Sequence, residues 1–140
     1  MLAAASNADP KPIDIQKAGT TIKFSQDSTK PLKFANKADL SAMFAFCDSN
    51  IEMQNVDVSN AASCNSMFAL FGYSYDVKAT TQKTCVLKIP NNLKFGTGCD
   101  VKQMFMLYFP FTLDVSKFDV SAVKDMTRMF AFCRVQDLNI

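Results

Sequence analysis

"LDVSKFDVSAVKDMTRMFAFC", residues 113–133, is the stretch that decides how this chain is read. It begins with an apolar–polar–apolar triplet, Leu113-Asp114-Val115, and ends on Met-Phe-Ala-Phe-Cys. A near copy of that ending, "LSAMFAFC", stands at 40–47. Met-Phe pairs recur at 43–44, 67–68, 104–105 and 129–130, at spacings of 24, 37 and 25 residues. Removing an insertion of about a dozen residues near 73–84 restores one period throughout. A fixed period of this length is the mark of a solenoid, whose units bury their apolar faces only by stacking.

The triplet recurs out of phase with the Met-Phe pair, as "LKF" (32–34), "VDV" (56–58), "LKI" (87–89), "LDV" (113–115) and "LNI" (138–140). Such alternation reads as a short strand with its outer residues facing inward. Between triplets, Val123, Met126, Met129, Phe130 and Cys133 follow helical spacing, which predicts an amphipathic helix of about three turns. Asn36 and Ser121 fit helix N-caps. The expected fold is α/β: a short right-handed β/α solenoid of leucine-rich-repeat type, with a parallel sheet on one face and helices on the other. Residues 1–31 form an N-terminal extension and β cap, and residues 13–34, with "IKF" (22–24), read as a β-hairpin or bent extension that caps the first rung. Residues 32–140 form about four repeats. On one sheet face the triplet centres Lys33, Asp57, Lys88, Asp114 and Asn139 would stand in a row of alternating charge. Nothing caps "LNI", so that end should be continued in a longer protein or covered by a partner.

The residues of 113–133 resemble the repeat of BspA-type surface proteins and Mycoplasma lipoproteins, L-D-x-S-x-(F/W)-D-x-S-x-V-x-(D/N)-M-x-x-M-F-x-x-C. Leu113, Asp114, Ser116, Phe118, Asp119, Ser121, Val123, Asp125, Met126, Met129, Phe130 and Cys133 all fit. Elsewhere the pattern is partial: the copy ending in Cys47 lacks D-x-S-x-V, and Phe71 and Tyr108 replace the last Cys. The resemblance implies a cell-surface or secreted bacterial protein used in adhesion. It brings no catalytic residues.

Composition excludes several activities. The chain has 140 residues and no His, which removes the commonest general base and metal ligand. "GTG" (96–98) lacks the Lys-Ser/Thr of a phosphate loop, and neither Ser59 nor Ser116 has a base beside it in sequence. No enzyme, cofactor or metal site is expected. A net charge of +2 makes no case for nucleic acid. No apolar run reaches the length of a membrane helix, and "MLAAAS" at the start is no secretory signal. Cys47 and Cys133 share a repeat position three rungs apart. Cys64, Cys85 and Cys99 lie off it, as packed thiols or as the source of one disulfide.

What remains is recognition of a protein or other host-surface macromolecule. Candidate contacts are the sheet face (Lys33, Asp57, Lys88, Asp114), the insertion with Tyr73 and Tyr75, and Phe109 and Phe111 around Pro110. Phe46, Phe71, Tyr108 and Phe132 add more aromatics than one stripe can hide. The alternatives are a structural spacer without a ligand and a self-assembly module that forms a homodimer through its uncapped C-terminal end.

Overall fold

The computed structural model describes residues 21–24, 27, 29–73, 85–110 and 112–140. Among these residues the regular elements are nine short strands: β1 (Thr21–Phe24), β2 (Leu32–Lys33), β3 (Ala38–Asp39), β4 (Asn50–Met53), β5 (Val56–Asp57), β6 (Ala61–Ser63), β7 (Leu87–Lys88), β8 (Thr112–Asp114) and β9 (Asp137–Asn139). All pair in parallel, each with the strand one repeat away. The chain winds as a β-solenoid whose rungs each contribute three short strand positions and one long turn segment. The first face carries β1-β4-β7 and, separately, β8-β9; the second carries β2-β5; the third carries β3-β6. Bridges Lys94↔Asp119, Ser63↔Asp100 and Asp100↔Asp125 extend the second and third faces into later rungs. "IKF" (22–24) belongs to this winding: β1 runs beside β4 with Ile22 opposite Ile51, not back along Leu32–Phe34.

The solenoid and its parallel strands match the expectation, but the helices do not. Among the described residues there is no helix, so the leucine-rich-repeat-like β/α architecture is corrected to an all-β solenoid. The Met-Phe segments are chains of overlapping β-turns. In 40–47, the amides of Met43, Ala45 and Cys47 donate to the carbonyls three residues back, at 3.1–3.3 Å. The intervening amides of Leu40, Ala42, Phe44 and Phe46 donate to Ser63, Asn65, Met67 and Ala69 of the next rung, at 2.8–3.0 Å. The same alternation repeats in 64–71 and 101–108. A helix would direct every amide to its own i−4 carbonyl; here half of them tie rung to rung.

That alternation requires left-handed backbone at two sites per segment. Ala42 and Phe46, Ser66 and Leu70, Gln103 and Leu107, and Arg128 and Phe132 all have φ between 54° and 59°. Each costs a side-chain-bearing residue about 1 kcal/mol or more. Neither Asn nor Gly, the residues that adopt this conformation most easily, occupies any of these positions.

The inward positions of the segments build the core. Phe44, Phe68, Phe105 and Phe130 stack in one column, with centroids 5.5, 5.5 and 5.7 Å apart and rings within 9° of parallel. Phe71 and Tyr108 start a second column at 5.9 Å. Phe44, Phe68, Phe71, Phe105 and Tyr108 are 0–2 % exposed. The repetition of Met-Phe-x-Phe/Cys is thus a stacking rule: the same ring in every rung lands on its neighbour.

Corners between strands are made by Asp-x-Ser/Thr. The carboxylates of Asp57, Asp114, Asp119 and Asp125 accept the amide two residues on, at 2.8–3.1 Å, and the first three also accept the Ser hydroxyl at 2.6–2.7 Å. These are Asx-turns, which fold the backbone with the side chain in place of a peptide group. Ser121 therefore serves a corner and caps no helix. At the next corner Gly96 is indispensable, since a Cβ there would overlap the carbonyl oxygen of Ser59.

Two measurements follow from this architecture. Phe68→Ala should lower unfolding free energy by about 3–5 kcal/mol in guanidinium titration. Phe130→Ala should lower it by clearly less, because Phe130 is only half-buried and is stacked on one side. Hydrogen bonds from Ser/Thr hydroxyls, then from backbone amides, hold the Asp27, Asp57, Asp114, Asp119 and Asp125 carboxyls below the ordinary value. Their stabilisation is complete above the unfolded value of about 4 and is lost as pH falls through the lower folded values. The denaturation midpoint should stay level from pH 7 to 5 and drop below about pH 4, less steeply in a Ser59→Ala/Ser116→Ala/Ser121→Ala variant.

Candidate functional site

The residues that face outward from the turn segments include two large exposed aromatics of the described structure, Phe46 and Phe132. The second left-handed position of each segment is Phe46, Leu70, Leu107 and Phe132, one per rung. Phe46 is 53 % exposed and Phe132 77 %, with Leu70 and Leu107 half-buried between them. Inter-rung bonds set successive rungs about 4.8 Å apart, so the four side chains line up as a stripe across the stack. Met106 and Phe109 are half-buried. Phe109 packs against Tyr73 at 5.3 Å and lies under the Arg134 guanidinium at 5.5 Å.

Sequence reasoning names part of this surface. Phe46 and Phe132 are among its surplus aromatics, and Phe109 is one of its candidate contacts. Phe71 and Tyr108 are core instead. Leu70 and Leu107 escape it, since each sits beside the buried stripe and only the backbone turns it outward. Tyr75, Phe111 and the stretch 74–84 lie outside the described residues, so the structure speaks for Tyr73 alone in the insertion.

The charged row on the sheet is divided between two faces. Lys33 pairs with Asp57 on the second face at 3.9 Å, where Lys94 meets Asp119 at 3.8 Å. Lys88 lies on the first face, 2.9 Å from Glu52, which also meets Lys23 at 3.5 Å. Asp114 stands in register with Asn139 on that same face. Between Lys88 and Asp114 the sheet is open: β7 and β8 occupy consecutive rungs but are not hydrogen-bonded to each other. A shallow cleft of about 360 Å³ fills the place of that pairing, lined by Lys88, Asp114, Asp137 and Asn139 with Leu87, Ile89 and Leu113.

The chemistry available is that of binding surfaces. No cluster of three or more His, Cys, Asp or Glu able to hold a metal occurs among the described residues. No helix among them is long and apolar enough to cross a membrane. All five cysteines are free thiols. Cys85 donates to the Asp48 carbonyl and Cys133 to the Phe105 carbonyl, each at 2.8 Å. The Cys64 thiol, hydrogen-bonded with Cys99 in the core, is pushed up by that bond and by burial.

No curated protein and no solved structure matches the chain. A family model does match, over residues 39–140, from the third-face strand of the first rung through all four turn segments. The chain belongs to the family described as Mycoplasma protein of unknown function, DUF285.

Proposed function

We propose that this is a non-catalytic recognition domain of a bacterial surface protein, which binds a protein partner through the apolar stripe on its turn segments. The observation that carries the reading is the choice of residue at the outer left-handed positions. Local conformation there favours Gly or Asn. Phe46, Leu70, Leu107 and Phe132 nevertheless occupy all four. An exposed apolar stripe on a solenoid is the composition of an interaction site. Adhesion and placement at the cell surface rest on the resemblance of 113–133 to the surface-protein repeat.

Self-association through the far side of the fourth rung is less well supported. The amides of Met126, Arg128, Phe130 and Phe132 donate no backbone hydrogen bond among the described residues. A two-fold dimer through that side would set donors against donors.

Stability and binding should separate in Phe46→Asn/Phe132→Asn. Its melting temperature is expected to equal or exceed that of the parent, because Asn tolerates φ near +57°. Peptides selected from a random phage library on the parent chain should bind this variant about tenfold more weakly or worse, a loss of about 1.4 kcal/mol. Equal binding by the variant would remove the stripe from the interface. Trypsin treatment of intact cells should abolish the domain's immunoblot signal; an undiminished signal would rule out surface placement.

A further inference from the structure

We propose that the gap between β7 and β8 is a docking slot for an extended segment of a partner protein, taken up as an added parallel strand. Three observations lead there. The first is that the gap is local. Rungs three and four are joined on the second face at Lys94↔Asp119, on the third at Asp100↔Asp125, and along the turn segment by the bonds of Val101, Gln103, Phe105 and Leu107. Among the described residues only the first-face strands stand apart, with one side-chain bond across, from Asn91 Nδ2 to Asp114 Oδ2 at 3.4 Å, and each is firmly paired on its other side, β7 with β4 and β8 with β9.

The second observation concerns which main-chain groups line the gap. In a parallel ladder, alternate residues direct both their N–H and C=O to the same side. Ile51 donates to Val86, so 86 and 88 face β4, and Leu87 and Ile89 face the gap. Val115 donates to Asn139, so 113 and 115 face β9, and Thr112 and Asp114 face the gap. Two strand edges with the period of a ladder therefore look at one another across the cleft, the Thr112 carbonyl alone already accepting a bond, from the Tyr108 hydroxyl at 3.4 Å. The ligand that satisfies both is a third strand, the mode of recognition known as strand addition.

The third observation sets the side chains. Leu113 is 4 % exposed at the floor, between half-buried Leu87 and Ile89, so inward residues of the guest should be apolar. Outward, Lys88 stands on one bank and Asp114 on the other, with Asp137 and Asn139 beyond. A guest residue between opposite charges is best polar and uncharged. The guest is an extended apolar–polar–apolar peptide.

The probe is an end-blocked hexapeptide copying residues 49–54 of this chain with Glu52→Gln, since β4 already lies between two parallel neighbours. Amide hydrogen exchange is followed by NMR on the full chain. Without peptide, the amides of Leu87, Ile89, Thr112 and Asp114 should exchange quickly; at millimolar peptide they should slow about tenfold or more. The Phe105 amide, bonded to Met129, should not change. A peptide that also carries Ile51→Pro should have no effect. The proposal is overturned by slow exchange in the free chain, by no slowing at millimolar peptide, or by equal slowing with the proline peptide. Protection that grows with protein concentration alone would make a second copy the occupant and overturn it too.

Discussion

Everything in this molecule depends on peptide groups that pass a hydrogen bond from rung to rung. The unit joining Asn65 to Ser66 accepts from Ala42 and donates to Lys102; the unit joining Lys102 to Gln103 accepts from Ser66 and donates to Thr127. Three further columns run beside it, through Leu40, Phe44 and Phe46 and their counterparts. Chains of hydrogen bonds polarise one another, and here the chains also fix the height of each rung. The Phe column inherits its spacing from them: rings 5.5–5.7 Å apart and nearly parallel are what stacked identical turns deliver. Left-handed backbone at two side-chain-bearing residues in every turn segment is the strain accepted for aligning those groups.

The same constraint explains where a binding surface can form. Inward positions are committed to stacking and corner Asp residues to Asx-turns, so neither is free to vary with a partner. The outer side chains at the second left-handed positions and the facing edges of β7 and β8 serve neither duty. The stripe and the gap lie there.

The solenoid, its parallel strands and the Met-Phe core are legible in the sequence because they depend only on repetition. The absence of a helix is not, and the reason is geometric. The inward residues of the turn chain are Leu40, Met43, Phe44 and Cys47, then Cys64, Met67, Phe68 and Phe71: i, i+3, i+4 and i+7. That is the signature of an amphipathic helix, although the backbone is a series of β-turns. Two local signals point elsewhere. Asp-x-Ser/Thr recurs at the corners and favours turns, and Phe46 and Phe132 fall off the helical stripe. The charge row fails for a related reason. Triplets from two faces share one pattern, which merges Lys33-Asp57 with Lys88-Asp114, while "NIEM" (50–53), with Glu52 between Lys23 and Lys88, does not stand out as a strand. The gap between β7 and β8 has no counterpart in the residue pattern at all, since it is an absence of pairing between two well-formed strands.

One consequence concerns the field of the turn columns. In these four columns every inter-rung amide points the same way, from the first rung toward the fourth, and every carbonyl points back; only at the end of each segment do Gly72, Phe109 and Arg134 donate the other way, to Cys47, Phe71 and Tyr108. Their dipoles add along the solenoid axis as they do in an α-helix, but with the sense reversed relative to chain direction. The pole near Met126, Arg128, Phe130 and Phe132 is positive, and the pole near the carbonyls of Ser41, Met43 and Ala45 is negative. A stack of β-turns thus carries a macrodipole that attracts anions to its C-terminal rung, where a helix would attract cations.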